Sequence, residues 1–158
     1  MQAENRLAEL GYTLPAAAAP AAAYVPVKQV GGLVFTAGQI PTRDGALAYR
    51  GKVGQDLTLE EAREAAVLCT LNLLAALKAH LGNLDKIRQV VKLQAFVSSA
   101  VGFDRQHIVV NAASELLCAV FGENGSHART AIGTNQLPLD APVEIEAIVE
   151  VYGCGHHW

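Results

Sequence analysis

The chain has 158 residues and a net charge of −3, and it is 51% hydrophobic but only 17% charged; its mean hydropathy is +0.24 and its pI is near 5.9. That length suits one domain with a real core. The acidic balance and the lack of any Lys or Arg run exclude a phosphate-neutralising nucleic-acid binder, and no stretch of about 18 uninterrupted apolar residues offers a membrane span.

The amino terminus, Met1 to Leu10, is charged and lacks the basic-then-apolar order of a signal peptide, so a cytoplasmic location is expected. Gln2 to Leu10 reads as a short amphipathic helix ended by Gly11, and residues 1–15 form an N-terminal helical extension. The Ala/Pro-rich run Pro15–Val27 is broken by three prolines and reads as a connector. One domain is expected over residues 16–152, starting with a strand at Tyr24–Gln29 and a second at Leu33–Gln39 after Gly31-Gly32. Pro41 and the Arg43-Asp44-Gly45 turn close that unit, and Ala46 to Gly54 reads as a minor edge strand.

Thr58 followed by Glu61 is a capping box, and Leu68, Leu71, Leu74 and Ala75 then recur at helical spacing up to Gly82. Ile87–Ser98 reads as a strand with Val91, Leu93, Ala95 and Val97 on one face. A second long helix runs from about Phe103 to Phe121, with Ile108, Ala112, Leu116 and Val120 as its apolar stripe, and Gly122 and Gly125 end it. Two strands finish the domain, Arg129–Leu137 and Val143–Tyr152, running in opposite directions about the Pro138–Pro142 turn. In the last strand Val143, Ile145, Ala147, Val149 and Val151 point one way; Glu144, Glu146, Ile148, Glu150 and Tyr152 point the other.

The order ββ, α, β, α, ββ predicts an α+β (α/β) fold with two helices packed on one face of a mixed sheet. Two helices cover only one face, and the apolar composition exceeds that of an ordinary monomer. Copies of the chain are therefore expected to close the other face. Three cysteines, Cys69, Cys118 and Cys154, show no zinc spacing; Cys69 and Cys118 fall in apolar helical stretches and read as small buried hydrophobes. The end Cys154-Gly155-His156-His157-Trp158 has no second ligand cluster to complete a tetrahedral metal site, and residues 153–158 read as a flexible tail. No metal site is expected there. Asn124-Gly125-Ser126 reads as a turn, and Ser98, Ser99, Ser114 and Ser126 stand in no catalytic motif.

Arg129 is the most telling single residue. An arginine at the head of a largely apolar strand is costly to bury unless it meets a carboxylate. Its planar fork fits either a carboxylate ligand or an internal ion pair with Glu144, Glu146 or Glu150. Spacing alone does not choose among those acids, since all three share a face.

Phe35-Thr36-Ala37-Gly38-Gln39-Ile40-Pro41 resembles the "TSGQIP" signature of the RidA/YjgF family of reactive-intermediate deaminases, also called the endoribonuclease L-PSP family. Ala128-Arg129-Thr130, Leu137-Pro138-Leu139 and Val143-Glu144-Ile145-Glu146-Ala147 resemble its "ARS…LP…VEIEAI" signature. Tyr24 and Asn111 match two further positions, so the resemblance spans nearly the whole chain beyond Ala23. The helical extension resembles a longer branch of that family.

The resemblance implies a chorismate-mutase-like fold assembled as a barrel-shaped homotrimer with three clefts between subunits. It further implies hydrolysis of 2-imino and 2-enamino acids to 2-keto acids and ammonia, without metal or cofactor. Arg129 then grips the carboxylate and Glu144, fifteen residues later, activates water. Tyr24, Ala37, Gly38, Asn111 and Ala131 bind substrate or support those that do. Two positions depart from the best-studied members: Ala37 stands for the signature serine, and Ala131 for a frequent cysteine. His127 stands where proline is common.

At about 3.3 Å per residue, roughly seven residues of strand separate Arg129 from Glu144 by about 20 Å in one chain. A single small ligand touching both therefore requires two subunits. The alternative is a trimeric binding protein that captures small carboxylates such as 2-keto acids without turnover, which the two alanines favour. Ribonuclease activity is disfavoured by the acidic balance. Chorismate mutase shares the implied fold but not these motifs.

Overall fold

The protein, for which we describe a computed structural model, is defined over residues 2–19 and 23–153. Of the sequence expectations, the Cys154–Trp158 end and part of the Ala/Pro connector lie outside the described residues.

Helix α1 (Gln2–Glu9) leads into strands β1 (Val27–Val30) and β2 (Leu33–Thr36). The predicted minor edge strand over 46–54 reduces to a two-residue hairpin, β3 (Thr42–Arg43) with β4 (Ala46–Leu47). It turns at Asp44-Gly45, both in the left-handed region. Helix α2 (Leu59–Leu81) starts where its capping box requires: the Glu61 amide donates to the Thr58 hydroxyl at 3.2 Å and the Thr58 amide donates back to the Glu61 carboxylate at 3.3 Å. Gly82, at φ 82, closes it, its backbone N–H donating a hydrogen bond to the Lys78 carbonyl.

Strand β5 (Ile87–Ser98), helix α3 (Gln106–Phe121), strand β6 (Ala128–Thr134) and strand β7 (Val143–Val151) complete the chain. The sheet order is β1-β2-β7-β5-β6, antiparallel throughout except for the parallel pair β5–β6. The last two strands do run oppositely, but β5 lies between them and they do not pair.

One sheet face is covered by α2 and α3. Leu93, Ala95 and Val97 of β5 meet Val143, Ile145, Ala147 and Val149 of β7 and Val34 of β2 there, all buried. The expected alternation in β5 fails at its start: register shifts either side of Val90 rotate the strand, burying Val90 and turning Val91 outward. In α3 the stripe holds at Ala112, Leu116 and Val120, while Val109 rather than Ile108 is the buried residue of its first turn.

Helix α2 is long and apolar enough to cross a membrane by length and composition, although its polar interruptions hide it from a search for an unbroken apolar run. Within this fold 72% of that apolar window is buried, which is how a core helix behaves. Helix α1 is a third helical element that packs on α3 through Ala3 and Leu7. Both Asp85 carboxylate oxygens cap its first turn, accepting from Gln2 and Ala3 at 2.8 and 2.9 Å.

The other sheet face is uncovered in the single chain. Leu33, Phe35 and Ile132 are each about two-fifths exposed on it, beside Ile148 and the three glutamates of β7.

Candidate active site

The strand pairing separates the three acids that spacing left equivalent. Glu150 is engaged, accepting from Gln89 at 2.6 Å and lying 3.5 Å from Arg88. Glu144 and Glu146 have no hydrogen-bond or ion-pair partner among the described residues. Glu144 sits opposite Phe96 on the uncovered face, half-buried. Burial pushes its carboxyl above the usual range, and the charge of Glu146 pushes the same way.

Glu144 meets the Gly38 segment. The Gln39 amide donates to the Ile145 carbonyl at 2.8 Å and the Ile145 amide donates back at 3.0 Å, which sets Gly38 against Glu144. A Cβ on Gly38 would lie 2.8 Å from Glu144 Oε1 and 3.0 Å from its Cδ, so only glycine leaves that carboxylate in place. Ala37 is held by its amide donating to the Pro26 carbonyl at 2.8 Å, and its methyl contributes no polar group.

A groove of about 660 Å³ runs beside this segment, bounded by Tyr24, Gly38, Ile40, Asn72, Leu139 and the Pro15–Ala19 stretch. Tyr24 is half exposed at its wall. Glu144 meets the groove only through Gly38. Asn72, on α2, was not a sequence candidate: its side-chain amide donates to the Ile40 and Thr42 carbonyls, both at 3.0 Å, and pins the turn that follows Gly38. A lone amide inside an otherwise apolar helix was the available signal.

Arg129 is the second residue of the edge strand β6, opposite Leu93, so it points toward the helices. Its Nη1 donates to Asn111 Oδ1 at 2.9 Å and to Ser114 Oγ at 3.2 Å; Nη2 donates to the His107 carbonyl at 3.4 Å. No carboxylate pairs with it among the described residues, so the internal ion pair is not formed. Asn111 thus accepts from the guanidinium rather than merely facing solvent. Ser114, passed over in the sequence, does so too. Ala131, opposite Ala95, packs on the core edge with no side-chain donor or acceptor.

Arg129 and Glu144 thus stand on opposite faces of the sheet, two strands apart and three residues offset along β5. Strand spacings put their Cα atoms about 14 Å apart, nearer than the hairpin estimate. Facing is the stronger barrier, because the two side chains of one chain cannot enter the same cleft.

Residues 4–151 match the YjgF/chorismate-mutase-like endoribonuclease family. The chain belongs to that family. A Trypanosoma cruzi relative, Protein TCP17, is 44% identical over 146 residues, covering 92% of this chain and 91% of the relative. Among solved structures, a protein of unknown function from Agrobacterium tumefaciens, Atu1372, is 49% identical with a TM-score of 0.89, covering 94% of this chain and 92% of that one. A Shewanella oneidensis protein carrying an endoribonuclease name is 33% identical with a TM-score of 0.93, covering 96% and all of the two chains. The segments around Gly38, Arg129 and Glu144 all lie within the matched residues. In the fold they fall into two candidate half-sites, Gly38 with Glu144 and Asn111 with Arg129.

Proposed function

We propose that the protein hydrolyses 2-imino and 2-enamino acids to 2-keto acids and ammonia in the cytoplasm, in clefts completed by neighbouring copies of a homotrimer. The observation that carries this reading is Glu144: a half-buried, unpaired carboxylate with a raised pKa, set beside a glycine whose missing side chain leaves it room. Arg129 is held by neutral partners only and keeps its charge for a ligand.

With Arg129 of one subunit holding the carboxylate, water reaches C2 of the imine near Glu144 of another. Glu144 takes a proton from the water as the C–O bond forms and the C=N π pair moves to nitrogen. That proton passes to nitrogen to give the carbinolamine; Glu144 then takes the hydroxyl proton and delivers it to the same nitrogen as the C=O bond forms and the C–N bond breaks, so that ammonia leaves with the keto acid. An enamine enters the same sequence after protonation at C3.

The test is pyruvate release from freshly generated 2-iminopropionate. The wild type is expected to accelerate it, and Arg129→Ala and Glu144→Gln to lose most of the acceleration. Equal rates in all three would remove both residues from the reaction.

Ala37 and Ala131 favour a second reading, a trimer that binds small carboxylates without turnover, since neither brings a polar side chain to the substrate. Calorimetric binding of pyruvate with no acceleration of imine hydrolysis would select it. The net charge of −3 weighs against action on RNA.

A further inference from the structure

The Arg129 half-site extends one step further than ligand binding requires. Ser114 lies one helical turn after Asn111 on α3, so both side chains face the guanidinium. Behind Ser114 stands His127, with Nε2 at 2.9 Å from Ser114 Oγ and Nδ1 at 2.6 Å from the Gly125 carbonyl oxygen.

A carbonyl oxygen can only accept, so Nδ1 carries the hydrogen. In a neutral ring Nε2 is then the acceptor for the Ser114 hydroxyl. With its one hydrogen committed to His127, Ser114 can offer Arg129 only oxygen lone pairs, and Nη1 donates to them at 3.2 Å. The chain of donors runs one way, from Arg129 through Ser114 and His127 to Gly125. Its far end is fixed: Gly125 is buried, and a Cβ there would collide with the Leu117 carbonyl oxygen of α3.

The guanidinium has five N–H groups, two of them on Nη1. Asn111 and Ser114 take both. The bond from Nη2 to His107 is long, at 3.4 Å. What remains is the edge formed by Nε and Nη2, a parallel pair whose spacing matches a planar carboxylate. We infer that Ser114 and His127 are positioning residues that form a neutral relay fixing the Arg129 guanidinium, so that a ligand carboxylate docks side-on to its Nε/Nη2 edge. This rests on Arg129 being the carboxylate grip of the proposed function.

The test is calorimetric pyruvate binding to the full chain, with KM and kcat for 2-iminopropionate and a melting curve for each variant. Ser114→Ala and His127→Leu are each expected to weaken pyruvate binding about tenfold, the scale of one lost hydrogen bond to a charged group. KM should rise in step and kcat change far less. His127→Gln is expected to recover most of the loss, because its amide can accept from Ser114 and donate to Gly125.

Wild-type affinity in Ser114→Ala and His127→Leu, alongside loss of binding in Arg129→Ala, would overturn the relay and leave the grip standing. Wild-type affinity in Arg129→Ala, or no pyruvate binding by the wild type, would overturn the grip and the relay with it. Should His127→Leu fail to fold, Ser114→Ala decides alone, since it removes one oxygen from a helix surface.

Discussion

Gly38 and Glu144 are in contact across β2 and β7 so closely that a single added methyl on Gly38 would press on the carboxylate, 2.8 Å from Oε1. Separations of that size are below van der Waals distance, so Gly38→Ala must move Glu144 or the loop. Displacing a catalytic group by a fraction of an ångström to 1 Å lowers rates by up to about 100-fold. Gly38→Ala is expected to cut kcat for 2-iminopropionate by about 10- to 100-fold while melting within a few degrees of the wild type. Unchanged kcat would mean that the Glu144 position is not critical.

Glu144 itself should show opposite effects on activity and stability. Its folded pKa lies above the ordinary range, so the folded chain holds its proton more tightly than the unfolded chain. Stability from this group is fully present below the ordinary glutamate range, and it falls as pH rises through that range to the raised value. Glu144→Gln removes the penalty. The variant's melting temperature is expected to match the wild type near about pH 4 and to exceed it near about pH 7, with activity reduced on the order of 100-fold or more. A gap that fails to widen with pH would contradict the burial argument.

Arg129→Lys tests geometry against charge. Lysine keeps the cation but has no planar fork, and it cannot serve Asn111, Ser114 and a bidentate carboxylate together. KM for the imine is expected to rise about tenfold or more, close to the effect of Arg129→Ala. Full recovery by lysine would show that charge alone suffices.

Assembly is read from mass and from one charge. Light scattering is expected to give three times the 16.7 kDa subunit mass. Ile132 lies on the uncovered face of the edge strand, about two-fifths exposed. Ile132→Glu there should dissociate the assembly and abolish hydrolysis together. A fully active monomer would sink the shared-cleft proposal.

Leu7 provides the contrast. It is buried at 2% exposure where α1 meets α3. Leu7→Ala is expected to lose about 2–4 kcal/mol of stability, with kcat per folded chain unchanged. A drop in kcat at full folding would tie the N-terminal helix to the site.

Some of this was written locally in the chain. The Thr58–Glu61 box and Gly82 delimit α2 because a cap is made by residues three or four positions apart. The facing of Val143 to Val151 follows from the two-residue period of any strand. The motifs around Gly38, Arg129 and Glu144 pointed to the family, and residues 4–151 match its model.

Tertiary pairing decided the rest. The outward turn of Val91 comes from register shifts against β7, which no alternation within β5 displays. That Glu150 is engaged while Glu144 and Glu146 stay unpaired among the described residues depends on Arg88 and Gln89, sixty or so residues away, claiming Glu150. The Ser114–His127–Arg129 chain joins a helix, a turn and an edge strand. A sequence states which side chains share a face of their own element, because that is set by backbone period; strand order, and with it the placing of Arg129 and Glu144 on opposite faces, is set by long-range hydrogen bonding and burial.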